Sequence, residues 1–175
     1  MIKIIIGVIV AAIIVIIILQ SIDPRVDTSG TNTAEVSEML TVSISGEITK
    51  PGTYLVDLDS SLGSLIEVAY GVTSNADYLA FDLDYLLENN QSFYIAPKYD
   101  MSDICAIEPI DKVNINKDNK EKLMTVNGFG SAISDALIAY RANNPFRRIE
   151  DIKNVSGIGN ATFEKIKNYI TLFSE

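Results

Sequence analysis

The sequence predicts an α+β protein with three parts: an N-terminal transmembrane helix, a small α+β domain and an all-α C-terminal domain. Three observations lead to this prediction. Residues 4–19 form an unbroken apolar run, residues 38–110 combine alternating strand patterns with one capped helix, and two stretches within residues 121–169 repeat one another without a gap. The 175 residues have room for one or two small domains beside the apolar segment.

The apolar run has the length and composition of a membrane span. It consists mostly of isoleucine, and polar residues from Gln20 onward end it. A helix of this length extends roughly 27 Å at about 1.5 Å per residue, close to the thickness of the hydrocarbon core of a bilayer. A cleaved signal peptide usually has a shorter apolar region followed by a small-residue cleavage site, which Leu19-Gln20-Ser21 does not provide. We therefore expect an uncleaved transmembrane anchor over residues 1–20.

The charges on either side of this span predict its orientation. Lys3 precedes the span, whereas Asp23, Arg25 and Asp27 follow it. The positive-inside tendency then places the N-terminus in the cytoplasm and the remainder outside the cell. Residues 21–37 are rich in Ser, Thr, Asp and Gly and predict a flexible linker. The expected location is the cell membrane, with a single pass and an extracellular C-terminal part.

The composition excludes several kinds of chemistry. The chain has no histidine, which removes histidine-based triads, the usual zinc sites and the commonest general base. Its single cysteine, Cys105, cannot form an internal disulfide, so it is either a small buried residue on a strand or one half of an intermolecular bridge. No pair of acids stands out from a solvated surface. We therefore expect no enzyme, no catalytic or metal-binding residues and no cofactor.

The net charge of −9 is unevenly distributed. Residues 20–110 carry 15 acidic and three basic side chains, whereas residues 111–175 carry ten basic and eight acidic ones. The basic residues are concentrated in the part of the chain that holds the repeat, as in a nucleic-acid-binding module attached to another domain. That part is only weakly basic for such a module, so we expect modest binding per molecule.

Residues 38–110 predict two strands, a helix and a later strand. Residues 40–46 alternate apolar and small polar side chains, and residues 54–56 can return as the second strand. Between them, residues 49–52 place proline and glycine in adjacent positions, as in a type II turn. The remaining signals are a cap at Ser60 or Ser61, an apolar helix face of Leu62, Leu65, Ile66 and Ala69, a stop at Gly71, and a strand over residues 92–96 that Pro97 ends.

This order of elements resembles the soluble-ligand-binding β-grasp (SLBB) family. The resemblance rests on residues 42–54 (VSISGEITKPGTY) and residues 65–73 (LIEVAYGVT). It implies a small β-grasp fold over residues 38–110. In membrane-anchored relatives such domains often serve self-association, so we expect self-association here. A β-grasp domain without a ligand is the default interpretation, and ligand binding is the alternative.

Residues 121–140 recur as residues 150–169 at a constant offset of 29. Six of the 20 aligned positions are identical. The identical pairs are Glu121/Glu150, Val126/Val155, Gly128/Gly157, Gly130/Gly159, Ala132/Ala161 and Tyr140/Tyr169. Each copy predicts a short helix, a Gly-x-Gly turn and a longer helix, so residues 111–175 form two tandem helical hairpins.

Other residues of the hairpins have expected structural roles. Asn116 is a candidate N-cap for the leading helix of the first hairpin. Phe129, between the two glycines of the first turn, is expected to point into the core. Phe146, which follows Pro145 between the two units, is expected to fill the core at their junction.

The two turns have the features of a phosphate site. Backbone N–H groups at a helix start lack intrahelical acceptors, and a phosphate oxygen supplies acceptors at the positive end of the helix dipole. Two such turns suit the two strands of a duplex, and contacts to phosphate do not distinguish base sequences. The candidate DNA-binding residues are Gly128, Phe129, Gly130, Ser131, Arg147, Lys153, Gly157, Ile158, Gly159, Asn160, Thr162 and Lys165.

The same residues resemble the tandem helix-hairpin-helix family, (HhH)2, and within it the ComEA-like competence DNA receptors. The resemblance runs through residues 113–116 (VNIN), 128–130 (GFG), 144–146 (NPF) and 155–159 (VSGIG). It implies capture of extracellular double-stranded DNA at the membrane, before a separate channel transports one strand inward. The expected partners are double-stranded DNA, the membrane, further copies of this chain and the proteins of a DNA transport channel.

Two positions of the first hairpin depart from the family pattern. Val126-Asn127 stands where the family favours Leu-Pro, and Ile133 stands where family members often carry a lysine near the phosphate. The first departure is expected to loosen the turn slightly, and the second to make it electrostatically weaker. Nearby cations can compensate for this loss of charge, namely Lys122, Arg147, Arg148, Lys153, Lys165 and Lys167. Lys165, one turn into the second departing helix, is the strongest candidate for a direct phosphate contact.

Two other functions are compatible with the sequence. In the first, the β-grasp domain recognises a saccharide or a partner protein at the cell surface, and the hairpins are purely structural. In the second, the hairpins dock a nuclease or glycosylase onto DNA, although the sequence shows no catalytic constellation for either. Salt-sensitive binding of duplex DNA distinguishes a DNA receptor from the surface module.

Overall fold

The structure, a computed structural model, describes residues 38–102 and 108–174. The predicted anchor (1–20), the predicted linker (21–37) and Cys105 lie outside the described residues. Over the described ranges, no helix has both the length and the apolar character that crossing a membrane requires. We call residues 38–102 the N-terminal lobe and residues 108–174 the C-terminal lobe.

The N-terminal lobe contains a three-stranded sheet whose strand order is β2-β1-β3. The central strand β1 (Met39–Gly46) runs antiparallel to β2 (Gly52–Asp57) and parallel to β3 (Ser92–Ile95). Every second side chain of β1, from Leu40 to Ile44, is buried, because successive side chains of a strand point to opposite faces. All three predicted strands are confirmed.

Helix α1 (Leu62–Val68) packs on one face of this sheet. The hydroxyl oxygen of Ser61 caps the helix by accepting the backbone N–H of Ser64 at 3.3 Å. Gly71, at φ +83°, ends the helix segment by donating its N–H to the carbonyl of Ile66 at 2.8 Å. The predicted cap, face and stop are therefore confirmed, and a short 3-10 helix (Tyr78–Ala80) follows before β3.

The predicted type II turn over residues 49–52 is wrong. A type II turn with Pro51 and Gly52 as its two central residues requires a positive φ at Gly52, but among the described residues the positive φ values fall elsewhere. Gly52 is instead the first residue of β2 and lies opposite Ile44.

The C-terminal lobe consists of short helices closed by a small sheet. Its helices are α2 (Lys120–Leu123), α3 (Ser131–Arg141), a second 3-10 helix (Ile149–Asn154) and α4 (Asn160–Ile166). Strands β4 (Val113–Asn114) and β5 (Ile170–Thr171) pair in parallel. The prediction of an all-α domain is therefore wrong, because the chain segments that enter the first hairpin and leave the second lie side by side and share backbone hydrogen bonds.

An aromatic residue, Phe146, and a polar residue, Asn116, stabilise the junction between the hairpins. Phe146 is buried as predicted and stacks on Tyr140, with ring centroids 5.2 Å apart. Asn116 is not the N-cap of α2, which is Asn119. The Asn116 side chain instead accepts the N–H of Phe146 at 2.8 Å and donates to the carbonyls of Phe146 and Leu172 at 2.9 and 3.2 Å. Asn116, which precedes the first hairpin, is therefore bonded both to the junction between the hairpins and to the segment that follows the second hairpin.

The two lobes belong to one compact unit. The outer edge of β3 is covered by the second 3-10 helix, where the Glu150 carboxylate accepts the N–H of Tyr94 at 2.6 Å. A buried ion pair joins Lys112 to Asp77 at 2.6 Å. An exposed ion pair joins Arg147 to Asp82 of the N-terminal lobe at 2.7 Å. These contacts hold the C-terminal lobe against the sheet.

Candidate nucleic-acid interface

The two Gly-x-Gly turns have the same backbone geometry. In the first, the N–H of Phe129 donates to the carbonyl of Val126 at 3.0 Å. In the second, the N–H of Ile158 donates to the carbonyl of Val155, also at 3.0 Å. Phe129 and Ile158 are only 2 % and 4 % exposed. Both residues therefore anchor their turns in the core.

The first glycine of each turn packs against the other hairpin. Gly128 has φ +126°, and a Cβ at this position would lie 2.8 Å from Cγ2 of Ile166 in α4. Gly157 has φ +94°, and its Cβ would lie 3.2 Å from Cγ1 of Ile133 in α3. Each turn is therefore seated on the departing helix of the opposite unit, and only glycine combines this backbone with this close approach.

The second glycine of each turn has a different role. Gly130 and Gly159 are the N-caps of α3 and α4, at φ −73° and −99°, which any residue adopts. A Cβ at either position would meet no atom within 4 Å, so a side chain there would enter open space among the described residues. Neither glycine supplies a side-chain acceptor to its helix.

The start of each departing helix offers free hydrogen-bond donors. The first backbone bonds that these helices make are from Ser134 to the Gly130 carbonyl and from Phe163 to the Gly159 carbonyl, both at 2.9 Å. Within the described part of the chain, the three preceding N–H groups of each helix have no acceptor. Two equivalent sets of donors at the positive ends of helix dipoles can therefore bind an anion.

The other predicted site residues lie at varying distances from these donors. Ser131 and Asn160 are the first residues of α3 and α4 and are exposed. Thr162 is half-buried beneath the first turn, with its methyl carbon 3.9 Å from the position of a Cβ on Gly128. The Lys153 ammonium lies over the Phe163 ring, 4.9 Å from its centroid.

Ion pairs engage most of the lysines and arginines of this lobe. Arg147 pairs with Asp82 of the N-terminal lobe, so the structure places its guanidinium at the junction of the lobes. Lys153 and Lys165 are exposed and have no carboxylate within 4 Å among the residues that the structure describes. The paired cations are Lys112, Lys120, Lys122, Arg147, Arg148 and Lys167.

Sequence reasoning missed the polar residues that precede the first turn. Thr125 and Asn127 are exposed and line a cleft together with Lys165. The signal available in the sequence was their position immediately before Gly128 in a predicted turn. Their position in one cleft with Lys165 has no local signal, because it depends on how the second unit packs under the first.

The described residues provide no ligand set for a metal. Over residues 38–102 and 108–174, no three His, Cys, Asp or Glu side chains are grouped so that they could hold a metal ion. Burial raises the pKa of Glu150 to about 7. Hydrogen bonds from backbone N–H groups and the charge of Arg148 partly oppose this rise. Glu150 lies under the β3 edge rather than in an open site.

Comparisons with known proteins agree with this geometry. A family model described as "Helix-hairpin-helix motif" matches residues 108–171. The chain is 33% identical over 151 residues to ComE operon protein 1 of Bacillus subtilis (strain 168), and the match covers 81% of this chain and 74% of that protein. It is also 33% identical over 66 residues to the endonuclease/exonuclease/phosphatase family domain-containing protein 1 of Mus musculus and of Homo sapiens, which covers 37% of this chain but only 12% of those proteins.

Proposed function

Because the chain belongs to the family of ComE operon protein 1, we propose that it is a competence receptor that binds double-stranded DNA. One observation carries the proposal: two equivalent glycine caps, Gly130 and Gly159, have open space at their Cβ positions and precede helix starts whose N–H groups have no acceptor among the described residues. A phosphate oxygen fits this space and supplies the acceptors.

The binding does not depend on base sequence. Each turn holds a backbone phosphate through N–H donors, and the two turns are related by the internal repeat, so that each serves one strand of a duplex. The side chains between the glycines, Phe129 and Ile158, are buried and cannot contact bases. The phosphate contacts therefore position the protein without selecting a sequence.

The affinity is modest and depends strongly on salt. With about four to six phosphates neutralised, log K falls against log[salt] with a slope of about −4 to −5. Dissociation constants at physiological salt are on the order of micromolar or weaker. Several receptors on one long duplex would then bind together more tightly than one.

The chain is anchored in the cell membrane by residues 1–20, with the C-terminal part outside the cell. The support is the unbroken apolar run over residues 4–19 and the single lysine before it. The flexible linker over residues 21–37 then gives the receptor reach. Protease accessibility of the C-terminal lobe on intact cells tests this topology, and complete protection would refute it.

Residues 38–110 form an SLBB-like β-grasp domain that associates with further copies. The support is an edge strand: β2 pairs only with β1 among the described strands, and Leu55 on β2 is 63% exposed. An exposed edge with an apolar side chain is a surface on which another strand can pair. Analytical ultracentrifugation of the wild type and of Leu55→Lys tests the self-association.

Proteins of a DNA transport channel receive the DNA that the chain binds.

The chain binds DNA without cleaving it. The support is the lack of histidine in the whole chain and the lack of a grouped metal-ligand set in the described residues. The segment shared with the endonuclease/exonuclease/phosphatase domain proteins covers 12% of their length, too little to carry over an activity. Incubation of duplex DNA with the chain and Mg²⁺ should leave the duplex intact.

A pair of aspartate caps tests the DNA-binding proposal. Gly130→Asp and Gly159→Asp place a carboxylate that caps the helix and occupies the space for phosphate. We expect thermal stability to be kept or raised, and duplex affinity at low salt to fall at least about tenfold for each variant. Thr49→Asp, an exposed position in the N-terminal lobe, is the control for the change in charge.

Two results would count against the proposal. If both cap variants bind duplex DNA as tightly as the control, the phosphate contacts are not at the turns. If the wild type binds no duplex of any sequence even at low salt, the chain is not a DNA receptor, and a surface module with structural hairpins is the better interpretation.

A further inference from the structure

A cleft of about 540 Å³ lies beside the first Gly-x-Gly turn. The residues that immediately precede the turn line the cleft together with Lys165 and Tyr169 of the second hairpin. The lining residues are Asp111, Thr125, Val126, Asn127, Lys165 and Tyr169. The cleft therefore brings a lysine from the second unit next to the turn of the first.

This arrangement follows from how the first turn is seated. Gly128 lies so close to α4 that a Cβ would be 2.8 Å from Cγ2 of Ile166. Lys165 immediately precedes Ile166, and it is exposed where Ile166 is buried. The helix that buries Ile166 under the first turn therefore presents Lys165 at the margin of the same turn.

The charges in the cleft leave Lys165 available for an anion. Asp111 is the acid in the lining, and the Lys122 ammonium pairs with it at 3.1 Å. Lys165 has no carboxylate within 4 Å among the described residues. Asn127, which is exposed beside it, makes no side-chain hydrogen bond to another described residue and can add a neutral donor.

The second turn has no equivalent of this lysine. The repeat places Ala136 of α3 at the position that corresponds to Lys165 of α4. The residue of α3 that contacts the second turn is Ile133, through Gly157. The two hairpins are therefore alike in backbone geometry but differ in side-chain charge at this position, where the second unit has a lysine and the first has an alanine.

From these observations we infer that Lys165 binds the DNA phosphate held at the first Gly-x-Gly turn, not the one at the turn of its own hairpin. The inference rests on the proposed DNA binding and assigns one of its contacts. Lys165 thereby supplies the charge that Ile133, in the first unit, does not provide. The ligand is a phosphodiester of the duplex backbone.

A double-mutant cycle on the full-length chain tests this assignment. Lys165→Gln is combined in turn with Gly130→Leu and with Gly159→Leu, and duplex affinity is measured by fluorescence anisotropy over a series of salt concentrations. Leucine is used because a new carboxylate would pair with Lys165. Circular dichroism and thermal unfolding verify that each variant folds, which the open space at both caps favours.

We expect Lys165→Gln alone to weaken binding roughly tenfold at low salt and to lower the magnitude of the salt slope by about 0.9. In the Gly130→Leu background its effect should fall to less than about twofold, because the phosphate that it contacts is no longer held. In the Gly159→Leu background the tenfold effect should remain.

Three other results would overturn the assignment. Loss of the Lys165 effect in the Gly159→Leu background alone would place the lysine at the second turn. Full effects in both backgrounds would show that it acts independently of either turn. Wild-type affinity in both leucine variants would refute the phosphate contacts at the turns, and the proposed function with them.

Discussion

The backbone N–H of Tyr94 donates a 2.6 Å hydrogen bond to Oε1 of Glu150, and this bond joins the outer edge of the sheet to the start of the second hairpin. The Tyr94 hydroxyl also donates to Oδ1 of Asn168 at 2.8 Å, beyond the end of α4. One residue of β3 therefore contacts the chain before and after the second turn. The second hairpin is therefore held directly by the sheet.

Glu150→Gln should change how stability depends on pH. Burial raises the Glu150 pKa to about 7 from its ordinary 4.5, so the native state keeps a proton that the unfolded chain has released between these values. The free energy of unfolding of the wild type therefore falls as pH rises from about 4.5 to about 7. Glutamine never ionises, and its side-chain oxygen can still accept the Tyr94 N–H.

We expect Glu150→Gln to match the wild type near pH 4 and to be more stable at pH 8, by on the order of 1–3 kcal/mol. Urea denaturation at a series of pH values measures the difference. Glu121→Gln is the matched control, because Glu121 is the equivalent residue of the first hairpin and is exposed. A constant difference between Glu150→Gln and the wild type across this range would contradict the prediction.

The turn glycines should differ in their tolerance of alanine. Gly128→Ala introduces a Cβ 2.8 Å from Ile166 at a positive φ, and we expect it to lower the free energy of unfolding by about 2–4 kcal/mol. Gly157→Ala, at 3.2 Å from Ile133, should cost about 1–3 kcal/mol. Gly130→Ala, which adds a Cβ in open space at a negative φ, should cost less than about 1 kcal/mol. Chemical denaturation measures all three, and a cost for Gly130→Ala equal to that for Gly128→Ala would show that the two glycines are not distinct.

Local patterns in the sequence were enough to predict most elements of the fold. The alternation in β1, the Ser61 cap of α1 and the two Gly-x-Gly turns depend on residues close together in the chain, and all of them are present in the structure. The short β4–β5 sheet was missed because its strands lie at opposite ends of the C-terminal lobe and only the closure of both hairpins brings them together.

The repeat also predicted more symmetry than the structure has. Glu121 and Glu150 are identical in the alignment, yet Glu121 is exposed and Glu150 is 8% exposed, because Glu150 lies against the edge of the sheet. The sequence made Lys165 a candidate phosphate contact without assigning it to either turn, and packing places it in the cleft beside the first. Neither asymmetry has a local signal, since both arise from contacts between segments distant in sequence.

Ser134→Ala should leave the protein as stable as the wild type or stabilise it. Ser134 is 0% exposed in the middle of α3, and among the described side chains its hydroxyl is a buried polar group without a hydrogen-bond partner. Removing such a group avoids its desolvation cost, so we expect the free energy of unfolding to rise by up to about 1 kcal/mol. Ser131→Ala, at an exposed position of the same helix, controls for helix propensity. A loss of more than about 1 kcal/mol in thermal or urea denaturation would show that the hydroxyl has a stabilising partner.

Arg147 and Lys153 should differ in their contribution to DNA binding, although the sequence makes both candidates. The Arg147 guanidinium donates to Asp82 from Nε and from a terminal nitrogen, at 3.1 and 2.7 Å, and a DNA phosphate would have to compete with that carboxylate. Lys153 has no carboxylate partner among the described residues and lies close to α4, over Phe163. Lys153→Gln should therefore lower the magnitude of the salt slope by about 0.9, whereas Arg147→Gln should lower it by less than half as much. Asp82→Asn is the control that removes the carboxylate partner of Arg147. In that background Arg147→Gln should lower the magnitude of the salt slope by more than it does in the wild-type background. Equal slopes for Arg147→Gln and Lys153→Gln in the otherwise wild-type chain would show that the ion pair with Asp82 does not withhold Arg147 from DNA.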